Sequence, residues 1–450
     1  MEKQRSSFTG KIGFVLAAAG SAVGLGNIWR FPYLAAKYGG GSFLLTYIIL
    51  SVTFGFALMV AEIAIGRKAG LSAIGAYQKL NKKFSFIGYL SALIPILILP
   101  YYSVIGGWVT KYLFAFSTGD AANAANKNYF SSFIGKTGEP LLWFAIFLGI
   151  TTIVVLFGVE KGVEKVSKVM MPVLIFLSIG ISVYTMFIPG AIKGVLYYIT
   201  PNLANFSIMT VVAAMGQLFY SMSLAMGIMI TYGSYMKKDV SIEAATHQIE
   251  IFDTGVAFLA GLMIIPAVFV FSPDKLGTQA GPGLMFETLP SIFSHIPGGA
   301  IFGAIFFLLV LFAALTSSIS LMETIVSIFQ DKFKWSRKLS CLVVLLVCII
   351  LGTPSSLGFG PWATIKMLGM DFLTFFDFVS NSLLMPIAAL FTCIFVGFII
   401  KPKAIEEEVE LSGKFKLKLL FNIMIKYVAP VFLLLILGSS VLSGFGIISI

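Results

Sequence analysis

The sequence has little charge and few of the residues that build metal centres in soluble enzymes. Only 11% of its 450 residues are charged, whereas soluble proteins carry about 25%. It contains 3 cysteines and 2 histidines, and no H-E-x-x-H, Walker-A or C-x-x-C pattern. The low charge excludes a soluble globular protein, and the missing motifs argue against an enzyme.

Long apolar runs take the place of the missing charge. Hydrophobic residues make up 58% of the chain, and the mean hydropathy is +0.96. The runs recur in blocks of about 20 residues, the length of helix that crosses a bilayer core. The pattern predicts an all-α polytopic membrane protein with eleven spans, near residues 11–37, 41–66, 86–116, 141–158, 168–188, 208–235, 241–271, 299–330, 339–352, 372–400 and 420–446.

The net charge of +11 follows from topology. With the N-terminus inside, the inner segments hold 23 of the 31 lysines and arginines, as the positive-inside rule predicts. We therefore expect a multi-pass protein of the cell membrane with a cytoplasmic N-terminus and an external C-terminus. No nucleic-acid partner is indicated.

Two of the apolar runs contain residues that interrupt helices. The first run contains "GSAVGLGNIWRFP", with Gly20, Gly24 and Gly26 followed by Asn27 and Arg30. The sixth contains "YSMSLAMG", residues 220–227, with serines and a glycine inside an apolar helix. Broken backbone at membrane depth is tolerated where it is buried in protein or lines a wet cavity.

The positions of the two breaks indicate an internal repeat. They fall in the first and sixth spans, so that each of two five-span halves would open with a broken helix. Because five is odd, the halves would cross the membrane in opposite senses. This predicts one transporter domain over 1–450, with a first repeat at 11–200, a second at 208–400 and an additional span at 420–446.

A broken helix offers groups that bind ions and zwitterions. Its freed carbonyls are oxygen ligands for a cation, and its half-helix N-terminus attracts a carboxylate. An amino acid bound together with sodium fits such a site. The alternative is that Gly20-x-x-x-Gly24 is a small-xxx-small motif for helix packing.

The first-span motif closely resembles that of the neurotransmitter:sodium symporter family, which has the LeuT fold. The resemblance continues through "GQLFYSMSLAMG", "LFAALTSSISLMET" and "YGSYMKKD" and covers almost the whole chain. It implies an eleven-span prokaryotic amino-acid transporter with two sodium sites. The implied substrate contacts are Ser21, Ala22, Leu25, Gly26, Ile98, Tyr102, Tyr220, Ser221, Ser223, Met226, Ser317 and Leu321.

The resemblance also assigns the sodium ligands. The implied first site consists of the Ala22 carbonyl, Asn27, Ser221 and Asp253, completed by the substrate carboxylate. The implied second site consists of the Gly20, Val23 and Ala313 carbonyls with the hydroxyls of Thr316 and Ser317. Hard cations prefer such oxygen ligands, although serines in spans also serve helix packing.

The residues at a few cavity positions indicate the class of substrate. Monoamine transporters of the family have an aspartate where this chain has Gly24, so an amino acid is predicted, and the apolar Ile98, Met226 and Leu321 favour a hydrophobic or aromatic one.

Asp253 stands where the family usually has asparagine, and Ala257 where chloride-dependent members have serine. A fixed carboxylate would replace the anion, so transport without chloride is expected; the alternative is a protonated Asp253 with a packing role.

The resemblance further implies two gating ion pairs. Arg30 with Asp377 would close the outside, with Asp371 as a competing partner. Arg5 with Asp331 would close the inside, helped by Ser234 and Tyr235. Either arginine could instead be a snorkelling residue at the interface.

The expected function is sodium-coupled amino-acid symport by alternating access. An amino-acid-gated channel or a binding-only membrane receptor of the same fold is the alternative. The expected partners are the amino acid, sodium ions and the lipid bilayer, and the expected assembly is a monomer or a weak homodimer.

Overall fold

The fold was obtained as a computed structural model that describes residues 7–202, 204, 206–279 and 281–444. Within these residues nine helices are long and apolar enough to cross a membrane, and a pair bent by 52° makes a tenth span. In chain order the main helices are α1 (Lys11–Ala22), α2 (Gly26–Lys37), α3 (Gly41–Ala69), α4 (Lys82–Ser117), α5 (Gly138–Leu156), α6 (Val159–Met186), α7 (Ile208–Ser221), α8 (Ile228–Gly233), α9 (Ile242–Phe271), α10 (Gly299–Phe333), α11 (Arg337–Leu357), α12 (Phe372–Ile399), α13 (Pro402–Glu410) and α14 (Lys418–Ser443).

Both predicted breaks are present. The first span consists of α1 and α2, which meet at the 52° bend. The sixth consists of α7 and α8, each too short to cross a bilayer alone. The ten spans counted above do not include this one, because neither α7 nor α8 is long enough by itself. With it, the number of spans is the eleven that the sequence predicts. The division into two inverted repeats stays a prediction.

The broken helices lie in the centre of the bundle. The pair α1 and α2 packs against α9, and α1 also packs against α10. The half-helix α8 packs against α3, and the long α10 runs along α4. Many of the side chains between these helices are buried and apolar, and polar ones such as Asn27, Glu62 and Asp253 are buried among them. This packing holds both breaks inside protein, where freed backbone groups find partners.

One predicted boundary is wrong by nine residues, or about two and a half helical turns. The fifth span was expected to begin at residue 168, but α6 begins at Val159. Lys161 and Lys165 lowered the local hydropathy and hid the start of the helix. The side chain of Glu164 is 1% exposed and pairs with Lys168 at 2.6 Å. Hydropathy therefore placed the apolar part of this helix and missed its polar first turns.

Short helices occupy the connections. They are Ala73–Leu80, Ala121–Ala124, Tyr129–Ile134, Ala191–Ile199 and Leu289–Phe293. The segment 401–419, which reads as a solvated or interfacial insert, contains α13, whose Ile405, Glu406, Glu408 and Val409 are buried.

Candidate functional site

A cavity lies between the two breaks. It is lined by fifteen residues, which include all twelve of the predicted substrate contacts. The three further residues are Gly24, Asn27 and Ile228. Residues from α1, α2, α4, α7, α8 and α10 thus converge on one space.

The first break is held by side chains of α2, α4 and α7. The Gly24 N–H donates to Asn27 Oδ1 at 3.0 Å, and the Leu25 N–H donates to the Tyr102 hydroxyl at 3.3 Å. The amide of Gln217 donates to the Gly26 carbonyl at 2.9 Å. Because Tyr102 accepts from the backbone, its own proton is free to be donated into the cavity.

The second break turns through left-handed backbone. Ser223, Ala225 and Gly227 have φ of +54°, +64° and +74°. The buried carboxylate of Glu62 accepts from the Ala225 N–H at 2.7 Å. Through this contact and that of Gln217, two buried side chains satisfy backbone groups freed at the breaks.

Hydroxyl groups connect the two breaks. Ser21 Oγ donates to Ser223 Oγ at 3.1 Å, and Ser223 Oγ donates to the Ser21 carbonyl at 2.9 Å. Ser317 Oγ, from α10, donates to the same carbonyl at 3.1 Å. These groups form a polar part of the cavity lining, whereas Ile98, Met226 and Leu321 form an apolar part.

The residues of the predicted first sodium site lie together. Asn27 Nδ2 donates to Asp253 Oδ1 at 2.7 Å, and Ser221 Oγ lies 3.4 Å from Asp253 Oδ2. Ala22 lines the same cavity. Sequence reasoning missed Tyr47, whose hydroxyl lies 2.7 Å from Asp253 Oδ2 and 2.6 Å from Ser221 Oγ. An apolar run carried no signal that would single out this tyrosine.

The residues of the predicted second sodium site also meet. Thr316 Oγ1 lies 3.1 Å from the Ala313 carbonyl, and Ser317 Oγ lies 3.4 Å from the Val23 carbonyl. A methyl group built on Gly20 would lie 3.2 Å from Thr316 Cβ. In the part of the chain that the structure describes, no three His, Cys, Asp or Glu side chains converge. The candidate ligands are therefore carbonyl and hydroxyl oxygens, with Asp253 as the carboxylate of the first site.

The predicted outer ion pair is not formed. No contact within 4.0 Å joins Arg30 to Asp377, although both are described. The Arg30 guanidinium lies over the Tyr220 ring, 5.6 Å from its centroid. Asp377 accepts from the Tyr101 hydroxyl at 3.0 Å and from Asn381 at 2.6 Å. Local partners thus hold each charge, and Tyr220 forms the lid of the cavity beneath Arg30.

The competing partner Asp371 is also used locally, because its carboxylate caps α12 through the Thr374 N–H at 3.0 Å. On the inner side Arg5 lies outside the described residues, so its pair with Asp331 stays a prediction. Asp331 itself accepts from the Ser72 N–H at 2.7 Å.

The segment around Phe8 packs against α8 and the residues that follow it. The Phe8 ring packs edge-on against Tyr232 at 5.5 Å and Tyr235 at 6.0 Å, measured between centroids. The Phe8 N–H donates to the Tyr235 carbonyl at 3.1 Å. The predicted helper Ser234 donates to its own helix at the Thr231 carbonyl, 2.5 Å away.

The strained break offers a direct test of its backbone. Ala225 has φ of +64°, and an L-residue in the left-handed region costs about 1–2 kcal/mol. Its methyl does not line the cavity. We expect Ala225→Gly to raise the thermal stability of the purified protein by about 1 kcal/mol, measured as unfolding in detergent.

The matched control is Ala214→Gly in the regular helix α7, where glycine costs about 1 kcal/mol of helix propensity. The two variants should move the unfolding temperature in opposite directions. Destabilisation by both would mean that the Ala225 methyl has a packing role that outweighs the backbone strain.

The chain is similar in sequence to known membrane transporters over most of its length. The description "Sodium:neurotransmitter symporter family" belongs to the family profile that matches residues 5–133 and 125–444. An uncharacterized sodium-dependent transporter of Haemophilus influenzae is 32% identical over 97% of this chain and 98% of its own length. The uncharacterized sodium-dependent transporter YhdH of Bacillus subtilis is 36% identical over 88% of each chain.

A solved structure has the same fold. The crystal structure of MhsT in complex with L-phenylalanine superposes with a TM-score of 0.88 and 36% identity, over 97% of this chain and 100% of that chain. The fold is therefore of the LeuT type. The fold and the two-break cavity define a multi-pass, sodium-dependent membrane transporter. The chain belongs to the sodium:neurotransmitter symporter family.

Proposed function

We propose that this transporter carries hydrophobic or aromatic amino acids together with sodium, without chloride. The observation that carries the proposal is the cavity between the breaks, whose lining combines hydroxyl and amide groups with the apolar side chains of Ile98, Met226 and Leu321. The related MhsT structure holds L-phenylalanine. Gly24 leaves the space beside Tyr102 for the substrate's own carboxylate.

Burial of the site supports alternating access. Tyr220 and Arg30 cover the cavity on one side, and the segment around Phe8 covers the bundle on the other. Apart from Tyr220, the predicted substrate contacts are all buried. A carrier needs such a closed state, whereas a channel needs a continuous path. We place the N-terminus in the cytoplasm and the C-terminus outside, as the basic loops indicate.

The deciding experiment is uptake of a labelled amino-acid panel into proteoliposomes. An inward sodium gradient is compared with a potassium gradient, and chloride is compared with gluconate. Concentrative uptake that needs sodium and survives gluconate is the expected result. Saturable sodium-dependent binding without uptake would support the receptor alternative. Amino-acid flux that only runs down its own concentration gradient, without coupling to sodium, would support a channel.

Substrate recognition can be tested at Tyr102. The Tyr102 hydroxyl accepts from Leu25 and lines the cavity, so its proton can serve the substrate carboxylate. A hydrogen bond to a charged group contributes about 1.5–3 kcal/mol. We expect Tyr102→Phe to raise the KM for the transported amino acid roughly tenfold to a hundredfold.

The control is Tyr89→Phe, because the Tyr89 side chain is 48% exposed on the surface of α4 and lies outside the cavity. Its uptake should match the wild type. An unchanged KM in Tyr102→Phe would place the substrate carboxylate elsewhere.

A further inference from the structure

Two glutamates of α13, Glu406 and Glu408, face the protein and are neutralised there, whereas Glu407 and Glu410 are exposed. Glu408 Oε1 pairs with Arg67 Nε at 2.8 Å and with Lys238 Nζ at 2.6 Å. Its side chain is only 4% exposed. Arg67 also donates to the Val240 carbonyl at 2.7 Å. The charge of Glu408 is therefore taken up by the ends of α3 and α8.

Glu406 is neutralised in the same way from α14. Its carboxylate pairs with Lys418 Nζ at 2.8 Å and accepts from Asn422 at 2.8 Å. Burial acts to raise the pKa of Glu406, but these two partners outweigh it and hold the pKa below its ordinary value. Glu406 is therefore ionised at neutral pH and already paired.

Several lysines around α13 are exposed and, among the described residues, unpaired, unlike Glu406 and Glu408. Six exposed lysines form what we call the basic patch: Lys82, Lys83, Lys401, Lys403, Lys414 and Lys416. Within the described ranges none of their ammonium groups has a hydrogen bond or an ion pair. The segment 401–419 is nearly balanced in charge, but folding buries Glu406 and Glu408, so that the exposed lysines outnumber the exposed Glu407 and Glu410.

The basic patch lies where two spans leave the membrane. Lys401 follows the end of α12 at Ile399, and Lys416 precedes the start of α14 at Lys418. Lys82 and Lys83 precede Phe84, whose ring packs 5.6 Å from that of Phe395 in α12. These contacts bring the first inner loop beside the α12–α14 connection, at the level of the lipid headgroups.

Apolar side chains border the patch on its membrane side. Phe398 is 54% exposed, Leu419 73% and Tyr427 63%. Exposed apolar residues below unpaired ammonium groups match the two layers of a leaflet, with acyl chains under phosphates. Clusters of four to eight lysines next to a span attract anionic lipid headgroups.

We propose that the basic patch binds the phosphate headgroups of anionic phospholipids in the leaflet that it faces. Some other basic side chains are engaged by protein groups: Lys168 by Glu164, Lys237 by the Thr9 carbonyl and Arg337 by Glu323. Others, such as Lys161, Lys165 and Lys338, are exposed and have no ion pair among the described residues. The basic patch is therefore set apart by its position beside two span ends and exposed apolar side chains. This binding does not depend on which solute is transported.

The test measures lipid retention by the purified full-length protein. Protein in detergent is incubated with phosphatidylglycerol or phosphatidylcholine, and bound lipid is counted by native mass spectrometry. We expect phosphatidylglycerol to be retained at least fivefold more than phosphatidylcholine, and salt to weaken the preference because it screens exposed charges.

The variant is the triple exchange Lys403→Gln, Lys414→Gln and Lys416→Gln, which should lose most of the preference. Its control removes the same charge from exposed lysines of the opposite loops, by Lys127→Gln, Lys193→Gln and Lys366→Gln. A second variant with arginine at 403, 414 and 416 keeps the charge and should keep the preference, even where the glutamine variant folds poorly.

Three results would overturn the proposal. They are equal retention of both lipids by the wild type, an equal loss in the two glutamine triples, and displacement of phosphatidylglycerol by millimolar inorganic phosphate, which would indicate a site for free phosphate. Because lipid retention is measured without a substrate or a gradient, it stands or falls separately from the proposed transport activity.

Discussion

Sodium-driven uptake by the Asp253→Asn variant is expected to fall roughly tenfold to a hundredfold in chloride-free medium. The Asp253 carboxylate is fully buried and contacts Asn27 Nδ2 and the Tyr47 hydroxyl, each at 2.7 Å. An interaction of this kind with an ionised group contributes about 1.5–3 kcal/mol. Without it, the substrate carboxylate would be the one negative charge left to a sodium ion beside Asn27 and Ser221, and the site would be positively charged before the substrate binds.

Chloride should partly restore the activity of this variant. Removing the carboxylate leaves the hydroxyls of Tyr47 and Ser221 free to donate to an anion. We expect uptake by Asp253→Asn to rise when gluconate is replaced by chloride, and to rise further when Ala257→Ser adds a hydroxyl one turn later. Initial rates against sodium concentration, measured in both anions, provide the comparison.

Asp239→Asn is the matched control, because Asp239 is exposed in the loop after α8. It removes the same charge away from the site and should leave sodium dependence unchanged. If wild-type uptake itself requires chloride, the role assigned to Asp253 is wrong even though the transporter assignment stands. If Asp253→Asn transports normally without chloride, the carboxylate is protonated or merely packs.

Gly24→Ala is expected to weaken amino-acid uptake roughly tenfold to a hundredfold. A methyl group built at this position would lie 2.6 Å from Ser317 Oγ and 3.1 Å from the Tyr102 hydroxyl. Overpacking of this kind costs about 1–3 kcal/mol. The methyl would occupy the space assigned to the substrate carboxylate, so KM should rise more than kcat falls.

The control for this variant is Gly216→Ala on α7, where an added methyl group meets nothing within 4 Å. Uptake kinetics and thermal unfolding should be measured for both proteins. A Gly24→Ala variant with wild-type KM would show that Ser317 and Tyr102 move aside, and it would remove the argument from Gly24 for an amino-acid substrate.

The sequence predicted the fold well because its signals are local. Apolar runs of about 20 residues give the spans directly, since a bilayer imposes one length on every crossing. The breaks were also visible, because Gly24, Asn27 and the serines near 221 are out of place in a plain apolar helix. The start of α6 was missed because lysines in its first turns read as loop.

The cavity residues were predicted from the family resemblance more than from the composition of the chain. Ile98 and Leu321 are ordinary apolar residues of their spans, and nothing in their neighbourhood marks them as facing a substrate. Only a known family motif could single them out. The structure brings them within one cavity, while their contact with a substrate stays a prediction.

Which groups each charged side chain contacts could not be predicted from the sequence. Arg30 and Asp377 have opposite charges on facing segments, yet Arg30 lies over Tyr220 while Asp377 accepts from Tyr101 and Asn381. Tyr47 was invisible for the same reason, because its position opposite Asp253 results from the packing of α3 against the centre of the bundle.

The sequence by itself therefore determined the number of spans, the two broken helices and which loops are rich in lysine and arginine. Hydropathy, helix-breaking glycines and charge are all properties of a few neighbouring residues. Only the tertiary structure decided which polar groups meet. It placed Tyr47 beside Asp253, separated Arg30 from Asp377, and turned Glu406 and Glu408 inward so that the lysines around α13 face outward. Buried polar and charged groups must find partners, and which partners lie within reach is fixed by helices far apart in the chain.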